Sequence, residues 1–174
     1  VIGFRHCDPR WPFLWSAAGQ PAARWHALGD GPASYFADTA VGAWAEFVRH
    51  EEIKDAADLA GVQRSLWSIE IGDAGYGDPL LPDATLRGDR STYPACQAEA
   101  MRLRGVGHMG IRAPSAALLP GGAAGWQCLP NEVPGVARDG YVYVVFGSPA
   151  GLVGWPAVEA GQPPARVLAL VHHF

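Results

Sequence analysis

The chain has 174 residues, 49% of them apolar and 17% charged, enough to bury one hydrophobic core and the size of a single domain over 1–174. Its formal net charge is −4 and its thirteen basic residues are scattered, which gives no footprint for a phosphate backbone and argues against nucleic acid as a partner. No apolar run approaches the roughly 18 to 20 residues of a membrane helix. The first residues show no basic segment followed by an apolar block. The three cysteines, Cys7, Cys96 and Cys128, stand far apart with no pairing ladder, so a cytoplasmic protein without membrane contact is expected.

Residues 1–32 begin with a short apolar strand at Val1–Phe4 and continue as loops rich in Trp, Pro, Gly and Ala. Ala33–Phe36 is a short β-prone piece. Asp38 or Thr39 then caps a helix through AVGAWAEFVRHEEI, with Val41, Trp44, Ala45 and Val48 on its apolar face. Residues 55–65 read as a linker of weak helical character, and Ser65–Ile71 alternates as a half-buried strand does. Gly, Pro and Asp make 72–93 a loop. Pro94–Arg104 is a helix with Ala95, Ala98, Met101 and Leu103 as its apolar stripe, stopping at Gly105. Residues 107–119 are strand-like, and Tyr141–Phe146 and Arg166–Val171 are the clearest strands. The pattern is α+β, with no internal repeat or heptad run.

The common catalytic signatures, G-x-S-x-G, H-E-x-x-H, the Walker P-loop and G-x-G-x-x-G, are missing. The six histidines form no i, i+4 pair, so no metal is expected; His172 and His173 would face opposite sides of a strand. Gly105–Gly110 reads as a turn. Seven Trp residues exceed what a core alone needs, and some are candidates to line a pocket for a flat ligand. Among the charges after Trp44 (Glu46, Arg49, Glu51, Glu52 and Lys54), most read as a solvated face. Glu46 alone sits among apolar neighbours, where a carboxylate is either paired or functional.

Three ordered blocks carry a resemblance. A-R-W-H-A-L-G at Ala23–Gly29, A-S-Y-F-A-D-T-A at Ala33–Ala40 and A-W-A-E at Ala43–Glu46 place Arg24, Tyr35 and Glu46 eleven residues apart. Gln97 and G-H-M-G-I-R-A-P-S-A at Gly107–Ala116 follow and supply Ser115. The set resembles the RES family, named for its Arg, Glu and Ser, over nearly the whole chain, with Arg5 matching an early family arginine. It departs from the family pattern at Ala22 and Ala23, where the family has two glycines, and at His26, where it has Asn. No clear Asn follows Ser115 at the family's usual place.

The resemblance implies an ADP-ribosyltransferase-like fold, two small, mostly antiparallel sheets flanked by helices around a cleft that binds NAD as substrate, without a metal. It implies that Arg24, assisted by Arg5, holds the pyrophosphate or a ribose hydroxyl and that Tyr35 packs on nicotinamide. Glu46 stabilises the oxocarbenium-like charge while Ser115 orients Glu46 or the ribose. The implied function is a toxin of a toxin–antitoxin type system, acting as an NAD glycohydrolase or ADP-ribosyltransferase and bound by an antitoxin that plugs the cleft. Read from the residues alone, Arg24 also fits a surface ion pair, Tyr35 a core tyrosine, Glu46 a satisfied helix carboxylate and Ser115 a turn or cap after Pro114. An enzyme of the same fold redirected to another ligand, or a non-catalytic binding domain, are the rival functions. Retention of all four polar residues favours an enzyme.

Overall fold

The structure is a computed structural model and describes residues 1–14, 19–128 and 130–174. The expected N-terminal loop includes residues 15–18, which lie outside the described residues. In chain order the elements are β1 (Ile2–Cys7), β2 (Ala33–Ala37), α1 (Ala40–His50), β3 (Arg64–Glu70), β4 (Tyr76–Gly77), α2 (Asp83–Arg87), α3 (Tyr93–Gly105), β5 (Gly110–Pro114), β6 (Trp126–Cys128), β7 (Glu132–Pro134), β8 (Tyr141–Phe146) and β9 (Val153–Gly161). Short 3-10 helices at Ala56–Leu59, Arg90–Thr92 and Ala165–Leu170 complete the set.

In place of the two small sheets expected, one seven-stranded mixed sheet runs β4-β5-β8-β2-β1-β3-β9, and only the β6–β7 hairpin stands apart. All neighbours are antiparallel except β4 and β5. The middle of this sheet is thinly joined. β1 pairs with β3 along its whole length and β2 with β8 along its whole length, yet β1 and β2 share the single pair Phe4↔Ala37. Two half-sheets therefore meet at one point, and Arg5–Cys7 diverges from Ala33–Phe36. Gly3 makes the close approach possible: a Cβ there would stand 2.7 Å from the Cβ of fully buried Phe36.

Helix α1 lies over one part of the sheet. Thr39, in an extended conformation, accepts a 3.0 Å bond from the Gly42 N–H, as an N-cap should. Trp44, Ala45, Phe47 and Val48 bury their side chains with Ala117, Leu118, Val167 and Val171. The apolar face thus includes most of the expected residues, but Arg49, expected on the solvated side, is also buried. Helix α3 presents a different face from the one expected: Cys96, Ala100 and Leu103 pack with Ile111, Ala113 and Val144, while Ala95, Ala98 and Met101 are exposed. The buried face admits Glu99, whose carboxylate accepts from the Leu80 N–H at 2.7 Å and pairs with Arg102. Polar satisfaction, invisible in an apolar count, turned the helix.

Other boundaries moved as well. The expected strand Arg166–Val171 is a 3-10 helix, because Pro163 and Pro164 precede it and the Val167 N–H closes back on the Pro164 carbonyl. His172 and His173 therefore lie beyond a helical turn and not on a strand. The 72–93 loop contains β4, α2 and a 3-10 helix, and strand β5 occupies only the centre of 107–119. Strand β9 went unread since it carries Pro156; it lies at the sheet edge, where a missing N–H costs no ladder bond.

Candidate active site

The diverging strands leave a cavity of about 590 Å³ between the half-sheets, with α1 along one side. That volume falls within the range of small-molecule and cofactor sites. Arg5, Arg24, Tyr35 and Glu46 all line it, and Trp11 and Trp25 contribute to its walls. Ser115 is not on the wall, but reaches the site through Glu46.

Glu46, half-buried, projects from the second turn of α1. Ser115 Oγ donates to its Oε1 at 3.4 Å, while the same oxygen accepts from the Ala117 and Leu118 N–H groups at 3.2 and 3.3 Å. Ser115 therefore caps its turn and contacts Glu46 with one hydroxyl, and the cap fixes where its proton points. Removal from water pushes the Glu46 carboxyl above its ordinary range, against the opposing pull of His50, Arg49, Arg24 and the Ser115 bond.

Tyr35 is held at its hydroxyl. His26 Nε2 lies 2.8 Å from the Pro21 carbonyl, which can only accept, so Nε2 carries the proton and Nδ1 accepts from Tyr35 Oη at 2.9 Å. Tyr35 Oη in turn accepts from the Trp25 N–H at 3.0 Å. Burial raises the tyrosine's pKa and lowers the histidine's, keeping both neutral. Gln97 Nε2 braces the same loop through the Ala23 and His26 carbonyls at 2.9 and 3.3 Å.

Arg24 is buried, with much of its fork already committed. Nη1 donates to the Thr85 carbonyl and Thr92 Oγ1, both at 3.2 Å, and Nη2 to the Gly88 carbonyl at 2.6 Å. Its plane lies over Tyr93. Arg49, one turn beyond Glu46, donates to the same Gly88 carbonyl at 2.9 Å, to the carbonyls of Ala116 and His172, and stacks on Phe174. Two guanidiniums thus tie segment 85–92, the Ser115 turn and the C-terminal residues around Glu46. The sequence hides Arg49 because helix charges default to solvent; its i+3 spacing from Glu46 is the one local signal. Arg5 differs from both: among the described residues it makes no hydrogen bond or ion pair.

A family model described as the RES domain matches residues 4–142. The chain belongs to the RES domain family. The crystal structure of the M. tuberculosis MbcT–MbcA toxin–antitoxin complex is similar to it in fold, with a TM-score of 0.62, 18% sequence identity, and cover of 97% of this chain and 87% of that one. No curated protein matches the chain. The RES-matched segment holds Arg5, Arg24, Tyr35, Glu46 and Ser115, whereas His172 and Phe174, the C-terminal partners of Arg49, lie beyond it. Where the RES pattern has Asn, this chain uses His26 to hold Tyr35.

Proposed function

We propose that this RES domain cleaves the nicotinamide–ribose bond of NAD, as the toxin of a toxin–antitoxin type system. The observation that carries the reading is the carboxylate of Glu46, held by Ser115 on the wall of a cavity rich in arginine, whose other lining carboxylate, Asp8, is bound by Arg10. The two half-sheets diverging around that cavity support an ADP-ribosyltransferase-like fold, and the likeness to a toxin–antitoxin complex supports an antitoxin partner. A cytoplasmic location accords with the substrate.

Bond breaking needs little from a proton donor. The C1′–N bond cleaves with its electron pair moving to the pyridinium ring, and nicotinamide leaves neutral. Glu46, ionised and poorly hydrated, stabilises the positive charge left on the ribose, where a preorganised charge is worth most. Ser115 keeps the carboxylate aimed. Tyr35, its hydroxyl fixed, offers a flat face to the nicotinamide ring. Arg24 retains Nε and one Nη2 hydrogen for a ribose hydroxyl, and Arg5 brings its entire fork to the pyrophosphate. Water adding to C1′ and losing a proton yields ADP-ribose; a protein nucleophile in its place yields ADP-ribosyl transfer.

The test is nicotinamide release from NAD by the parent and by Glu46→Gln, which keeps the shape and removes the charge. The variant is expected to lose on the order of 10² to 10³ in rate, the usual effect of deleting one charge-stabilising group, and to melt no lower than the parent. Expression without a partner should depress growth in the parent and not in the variant. No release by the parent, with NAD unbound in a direct titration, overturns the reading.

A further inference from the structure

The wall of the cavity formed by β1 and β3 carries donors to which the cleavage chemistry gives no task. Arg64 starts β3 and lines the cavity beside His6 and Arg5 of β1. Its Nη2 lies 3.1 Å from His6 Nδ1. A guanidinium only donates, so His6 Nδ1 accepts and its Nε2 carries the proton. Phe47 of α1 fixes the pair from the other side, edge-on to His6 with centroids 5.2 Å apart and under the Arg64 guanidinium at 5.2 Å. Arg64 Nε is buried and has no hydrogen-bond partner among the described residues.

Charge balance on this wall is incomplete. Asp8, within electrostatic range of Arg64, accepts from Nε and Nη2 of Arg10, at 3.0 and 2.7 Å. Arg5 has no partner among the described residues, and burial lowers its pKa, the mark of a cation poorly compensated by its surroundings. His6 adds no charge: burial, with Arg64, Arg5 and His50 nearby, drives its pKa down to about 3, so it serves as a neutral donor. Arg5, Arg64 and His6 thus all line the one cavity, and among the described residues no carboxylate is bound to any of them. Planar forks of this kind suit the paired oxygens of phosphate esters.

We infer that Arg64 and His6 join Arg5 in a phosphate-binding wall that takes the pyrophosphate of a dinucleotide, leaving Arg24 to the ribose side. The assignment rests on the NAD reading for the identity of the ligand, while the phosphate chemistry rests on the wall itself. On this assignment the wall binds ground state and transition state alike. Its loss therefore raises KM while sparing kcat.

The experiment titrates inorganic pyrophosphate, ADP-ribose and nicotinamide separately into the parent, Arg64→Gln and Arg64→Lys, by calorimetry. Arg64→Gln is expected to weaken pyrophosphate and ADP-ribose by about tenfold or more while leaving nicotinamide unchanged, with Arg64→Lys in between, since it keeps charge and loses the fork. Circular dichroism and melting identify a variant that fails to fold, in which case Arg64→Lys and His6→Asn carry the same comparison. Pyrophosphate binding that is equal in parent and folded variants, or absent from the parent, overturns the inference. Because these titrations involve no bond cleavage, a failed Glu46 test with a positive pyrophosphate result separates the two readings: the wall stands and the reaction does not.

Discussion

At the scale of single residues, His26 shows how one substitution in a family pattern acquires a role. Its ring spans from the Pro21 carbonyl to Tyr35 Oη, so both nitrogens are engaged and one tautomer is selected. His26→Leu would leave the proton of the half-buried Tyr35 hydroxyl without its acceptor, while the carbonyl of Pro21, an exposed residue, can turn to water. The expected cost is about 1 to 3 kcal/mol, read as a lower urea midpoint with an unchanged slope. His26→Asn, which restores the family residue and a polar partner, should cost less. The identity of this position was plain in the sequence, but its function was not, since Pro21, His26 and Tyr35 converge only through the turn between them.

At the scale of elements, the decisive feature is the meeting of β1 and β2. The pair Phe4↔Ala37 holds the half-sheets together while the rest of both strands diverges. Gly3 sets how closely they approach, and a Cβ at that position meets Phe36 Cβ at 2.7 Å. Gly3→Ala should therefore destabilise the fold by about 1 to 3 kcal/mol, the usual cost of overpacking, and should perturb the cavity more than the distant α3 packing. Amide exchange would check this: protection should fall in β1 and β2 first, and uniform loss across α3 would contradict it. Helix α1 was readable from its Thr39 cap and apolar repeat. The face of α3 was not, because Glu99 satisfies itself inside through Leu80 and Arg102.

For the whole molecule, a chain of net charge −4 turns a cationic cavity toward its proposed substrate, with Arg5, Arg24, Arg49 and Arg64 around Glu46. The raised pKa of Glu46 gives opposite signs to stability and activity. Between the unfolded value, about 4.3, and the higher folded value, the native state binds the extra proton. Glu46 therefore makes stability fall as pH rises through that window, and Glu46→Gln should remove this component when melting temperature is followed against pH. Activity needs the carboxylate, so kcat/KM should drop as pH falls, with its acid limb above the ordinary glutamate range. An acid limb at or below that range would show that the buried carboxyl is not the group the reaction senses.

Local chemistry was enough to read the α+β class, the Thr39-capped helix, the strand at Tyr141–Phe146 and the ordered spacing of Arg24, Tyr35, Glu46 and Ser115, because caps, alternation and motif spacing are properties of adjacent residues. Only the tertiary structure decided that the two expected sheets are joined through Phe4 and Ala37, that Arg49 is buried against the Gly88, Ala116 and His172 carbonyls, and that Arg5 and Arg64 line the same cavity. Those outcomes depend on pairings between segments tens of residues apart. Which donors are spent and which remain open is settled by where distant carbonyls arrive, and no local pattern encodes that.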